Sequence, residues 1–180
     1  MLEITIPARE LYDEDSNRFI YIKETTLRLE HSLVSLAKWE SKWKKPFLNE
    51  SDKTQEMFID YVKCMTITQN VDQLVYQSLT VQNLKDIQAY IDDSMTATWF
   101  SKNMQNKKSN EIVTAELIYY WMIALQIPME CQKWHLNRLL TLVQVCNIKN
   151  QPAKKMKKGD ILKRNSSINA ARRQAMNSKG

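Results

Sequence analysis

Residues 110–127, NEIVTAELIYYWMIALQI, and 128–150, PMECQKWHLNRLLTLVQVCNIKN, carry the strongest structural signal in the chain. Ile112, Ala115, Tyr119, Met122 and Ile123 form a broad stripe at the three- and four-residue spacing of one helix face. Pro128 suits the first turn of a second helix, where the N–H it lacks would be unpaired anyway. Both segments are too apolar to stand free in water. The pattern therefore predicts an antiparallel helical hairpin in the core of a mainly α-helical fold.

The same period continues upstream. Leu33, Leu36, Trp39 and Trp43 predict a helix through SLVSLAKWESKWKK (32–45), closed before Pro46. A second helix is expected in SDKTQEMFIDYVKCM (51–65), capped by Ser51 or Asp52, with Gln55 and Glu56 placed to reach back. Met57, Ile59, Tyr61, Val62 and Met65 supply its apolar side. A break near Asn70 leads to a short helix over 72–79, and Thr80 caps another whose Leu84, Ile87 and Ile91 share a face. SMTATWF (94–100) reads as a β-prone linker, and 101–110 as a polar loop.

Ahead of Ser32 the period is two. Leu2, Ile4 and Ile6 alternate with polar residues until Pro7; Phe19–Ile22 follows a polar turn at Asp13–Asn17; Leu27 and Leu29 alternate again. Three short strands, turning near Asp15 and at Lys23–Glu24, predict a small N-terminal antiparallel β element over 1–31, with helices over 32–150.

Charge divides the chain. Residues 1–150 hold 17 Lys and Arg against 19 Asp and Glu, whereas 151–180 hold nine against the single Asp160. The basic pI belongs to a C-terminal extension, 151–180, where a marginal helix from Asp160 to Met176 offers only Ile161, Leu162, Ile168 and Met176 as large apolar side chains. It reads as a partner-dependent tail. Lys154, Lys155, Lys157, Lys158, Lys163, Arg164, Arg172 and Arg173 are its candidate partner-binding residues, set to clasp an acidic helix or coiled coil. Binding to nucleic acid would rest on this charge alone.

Residues 1–158 contain no glycine, which argues against a phosphate-cradling loop, a dinucleotide fingerprint and a nucleophile elbow. Cys64, Cys131 and Cys146 show no framework spacing and read as buried free thiols. No apolar run approaches the roughly 20 residues of a membrane helix, and the opening MLEITIPARE has no leader-like pattern. In MECQKWHLNRLL (129–140), Cys131 and His135 are four apart, so on one helix they would face the same way. A zinc site needs three or four ligands, and the one other histidine is His31. A Cys–His nucleophile lacks a visible oxyanion loop. The expectation is packing, with no metal, cofactor or catalytic residues. Asp13, Glu14 and Asp15 lack calcium-loop spacing, and Asp92–Asp93 ends a helix. Trp39 and Trp43, beside Lys42, Lys44 and Lys45, could stack on bases, but Leu33 and Leu36 turn their face inward.

LEHSLVSLAKWESKWKKPFL, CMTITQNVD, MTATWF, YYWMIALQIPMECQKWHLNRLLTLVQVCNIKN and the closing NAARRQAMNSKG resemble small proteins encoded among the tail genes of bacteriophages of Gram-positive hosts, often classed with tail assembly chaperones. The resemblance runs from about Leu27 to Gly180 and rests on phrase-like similarity. It implies a non-enzymatic protein that coats the tape measure protein in the host cytoplasm until tail tube polymerises around it. Nine methionines would suit varied helical clients. The alternative is a small structural subunit of the virion tail or baseplate. Partners would be the tape measure protein, tail tube or baseplate subunits, with self-association open and neither nucleic acid nor membrane expected.

Overall fold

A computed structural model describes residues 1–13, 17–49, 53–100, 111–150 and 158–176. The fold is mainly α-helical with a small antiparallel β element. It divides into two compact units, Met1–Asn147 and Ile148–Gly180.

The β element is four strands where three were expected: β1 (Leu2–Ile6), β2 (Arg9–Asp13), β3 (Arg18–Ile22) and β4 (Thr25–Leu29). β1 pairs with β4 and β2 with β3. Ile6 faces Thr25 and Arg9 faces Ile22, so the two ladders share one register in a single long ribbon. Its interruption falls at Pro7, which has no N–H to give a ladder. The side facing the core changes there. In β1 and β4 Ile4, Ile6, Leu27 and Leu29 are buried, with Glu3, Thr5, Thr26 and Arg28 on the polar side. Beyond Pro7 the other side turns inward: Ile22 is buried, while Tyr12, Phe19 and Tyr21 are exposed. The rings of Tyr12 and Phe19 sit 5.1 Å apart across the ribbon.

Helix α1 (Leu33–Trp43) is the hub. Ser32 and Ser35 close a capping box at its start, and Lys44, at φ 55°, ends it in the left-handed region. Its Leu33, Leu36 and Trp39 are buried, each worth roughly 1.5–3 kcal/mol when fully removed from water. α2 (Gln55–Met65) is capped by Thr54, whose hydroxyl accepts from the Met57 N–H. Ser51 and Asp52, the expected caps, lie outside the described residues, and it is Thr54 that supplies the oxygen one residue before the helix. Met57, Tyr61, Val62 and Met65 are buried on it. The chain then runs along β4, with Ile67 N–H donating to the Arg28 carbonyl at 2.8 Å.

Asn70 takes φ 55° at the expected break. α3 (Gln73–Gln77) follows, and α4 (Val81–Asp92) is capped by Thr80 in a capping box with Asn83. Ile87 and Tyr90 are its buried apolar residues; Leu84 and Ile91 are half-buried. Residues 94–100 form no strand, and the loop expected over 101–110 lies outside the described residues.

The segment read as a helical hairpin is shorter and more broken. α5 is Ala115–Ala124, ended by Gln126 at φ 55°. Pro128 caps a single 3₁₀ turn, Met129–Lys133, and Trp134 is extended before α6 (Leu136–Asn150) begins. α5 packs on α1, as does the 3₁₀ turn. The expected hairpin is thus corrected: apolar spacing runs through 110–150, but the backbone is not α-helical from Gln126 to His135. The second unit contains α7 (Lys158–Ala175), on which every described side chain is exposed.

Candidate functional site

Cys131 and His135 do not share a helix face. Cys131 lies in the 3₁₀ turn, and His135 pairs with Ser32 in an isolated antiparallel bridge. Their separation by the extended Trp134 removes the i, i+4 geometry that suggested a ligand pair. His135 meets instead the other histidine. The His31 and His135 rings are 5.0 Å apart, edge to face, and both are buried. His31 Nδ1 lies 2.6 Å from the Tyr61 hydroxyl; His135 Nε2 donates to the Tyr90 carbonyl at 2.9 Å. Leu136 N–H donates to the His31 carbonyl at 2.7 Å. The cluster ties the β4–α1 junction to α2, α4 and the start of α6. Nothing in the spacing of His31 and His135 could have paired them.

Burial pushes His31 down to about 3, with the neighbouring His135 ring adding to it. A neutral imidazole beside a phenol could pass a proton, but both rings are sealed from solvent. Among the described residues no three His, Cys, Asp or Glu side chains gather as a metal would require. Burial pushes the Cys64 thiol up, the opposite of an activated nucleophile.

Glu40, a buried acid, was not singled out in the sequence. Its carboxylate accepts from the Phe47 N–H at 2.9 Å and the Ala115 N–H at 2.7 Å, fixing the turn after α1 and the first residue of α5. Such a double backbone acceptor is a staple.

Trp39 and Trp43 stack at 6.1 Å and face α2, away from any base-stacking role. Trp39 Nε1 donates to the Met57 carbonyl and Trp43 Nε1 to Asp60 Oδ2. Lys42 pairs with Asp60 beside a groove of about 540 Å³ lined by Glu56, Ile59, Lys63 and Tyr76. Burial alone would raise Asp60, but hydrogen bonds from Lys42 and Trp43, with Lys63 nearby, hold its carboxyl below its usual range. The Asp60 carboxylate in the groove wall is thus already paired. Asp92 accepts from Gln88, and Asp93 from the Met95 N–H. Asp13 ends β2, while Glu14 and Asp15 lie outside the described residues.

Of the candidate partner-binding residues, Lys163, Arg164, Arg172 and Arg173 are exposed on α7, and Lys158 is its first residue. Lys154, Lys155 and Lys157 lie outside the described residues. The second surface feature is apolar. α5 is hydrophobic nearly all round, a pattern that normally means burial on every side. Ala115, Ile118 and Met122 are buried, yet Tyr120 and Ile123 are 64% and 68% exposed, with Ala124 beside them. No helix is long and apolar enough to cross a membrane among the described residues. Comparison with family models, curated proteins and solved structures returns no match.

Proposed function

We propose that this chain is a non-enzymatic protein-binding factor of phage tail morphogenesis, an assembly chaperone that holds the tape measure protein until tube subunits enclose it. The observation that carries the reading is an exposed apolar face, Tyr120, Ile123 and Ala124, on a helix whose Ala115, Ile118 and Met122 are buried. An amphipathic client helix would lay its apolar side on such a face. The basic extension, with α7 in a unit of its own, would recruit an acidic segment of client or tube subunit. The phage assignment itself is supported by the sequence resemblance. A chaperone leaves when assembly ends, whereas a structural subunit stays. Quantitative mass spectrometry of salt-washed particles against infected-cell lysate separates them. Abundance in lysate with absence from particles is expected; a fixed copy number per particle would replace the chaperone with a tail or baseplate subunit.

A further inference from the structure

Beyond Asp160 the chain carries no Asp or Glu, and residues 148–180 contain no Phe, Trp or Tyr. Within this segment α7 is an 18-residue helix, about 27 Å long, on which every described side chain is exposed. Leu162, Ser166, Asn169 and Arg173 are spaced four, three and four apart, so they fall on one line along it. At about 100° per residue, Lys163 and Arg172 lie about 90° to either side of that line, on opposite flanks of the helix. Ala171 lies on the far side. The helix thus presents a row of hydrogen-bonding side chains between two cationic flanks.

Charge alone would suit any anion; its placement selects among them. A partner helix covers a strip of about 100° and could not meet Lys163 and Arg172 together. The major groove of B-form DNA, about 12 Å wide, takes in a whole helix and sets a phosphate backbone on each side of it. Single strands are held by stacking on aromatic rings, which this segment lacks. An RNA duplex has a major groove too narrow for side chains to read. We propose that α7 binds duplex DNA in its major groove. Lys163 and Arg172 then meet the two phosphate backbones, while Ser166, Asn169 and Arg173 face the base edges. The inference goes beyond the chaperone reading: it leaves the α5 face as that reading has it and gives the extension a different occupant.

The test is fluorescence anisotropy of the full chain with a labelled DNA duplex of about 20 base pairs, between about 50 and 200 mM salt. Expected are a dissociation constant of about 1–100 μM at physiological salt and a loss of about tenfold or more across the range, as two phosphate contacts give. Lys163→Ala and Arg172→Ala should each lower the salt slope by about one. Asn169→Asp and Ala171→Asp separate placement from net charge, since each adds one negative charge, the first in the row and the second behind it. The first should weaken binding about tenfold or more, the second less than about threefold. Alanine is the stronger helix former, so loss of helix alone would make Ala171→Asp the worse of the two. Absence of binding at the lowest salt would overturn the proposal, as would equal losses from the two aspartates. So would single-stranded DNA or an RNA duplex held as tightly as the DNA duplex. A glutamate-rich helical peptide bound more tightly than the duplex would overturn it by giving α7 to an acidic protein partner.

Discussion

His31 lies against Tyr61 and His135, and its imidazole has little means of accepting a proton without opening the core. In the unfolded chain it would titrate near 6.5, and in the folded protein near 3, so acid favours unfolding. The stabilisation is complete above pH 6.5 and is lost as pH falls toward 3. Between pH 7.5 and 5.5 the loss is about 1.4 kcal/mol. Burial of Glu40 acts with the opposite sign, since a raised carboxyl binds its proton more readily in the folded state. The contribution of His31 is therefore isolated by difference: urea unfolding at both pH values should show the drop in the wild-type chain and a flatter profile in His31→Gln. Equal slopes would mean that the ring is not sealed. Glu40 itself makes the second prediction at this scale. Removing its carboxylate strands the Phe47 and Ala115 N–H groups, so Glu40→Ala should cost about 2–4 kcal/mol in urea unfolding. Glu40→Gln keeps one acceptor oxygen and should cost less. A Glu40→Gln chain as stable as the wild type would assign the cost of Glu40→Ala to side-chain volume.

Among the elements, α1 was legible from its apolar spacing, α3 from the break before it, and α4 because the cap at Thr80 and the apolar spacing agreed. β2 was missed because Arg9–Asp13 alternates little apolar with polar, and its pairing comes from β3 across the turn. The break from Gln126 to His135 was hidden for a different reason. Side-chain period reports which residues face inward, and they do so here through a 3₁₀ turn as well as through helix. Of the candidate site, the basic residues were readable from composition, but the uncovered face of α5 was not, since its period predicts burial all round. The two histidines were visible only as residue types; their meeting belongs to tertiary packing. The ribbon tests the same point experimentally. A strict period of two, carried through Pro7, would expose Ile22 and bury Tyr21, whereas the structure does the reverse. Ile22→Ala should then cost about 2–4 kcal/mol and Tyr21→Ala no more than about 0.5, read from urea midpoints. The opposite order would restore an unbroken ribbon face.

For the whole molecule, the division at Asn147 makes the stability of the first unit separable from the presence of the second. The buried apolar residues belong to the first unit, while α7 exposes every described side chain, so α7 adds little to cooperative folding. A chain ending at Asn150 should therefore match the full chain within about 0.5 kcal/mol in dilute urea unfolding, since surface changes away from packed groups rarely exceed that. A loss of more than about 1 kcal/mol on truncation would overturn this, because it would mean that the removed residues contribute packing to the folded first unit.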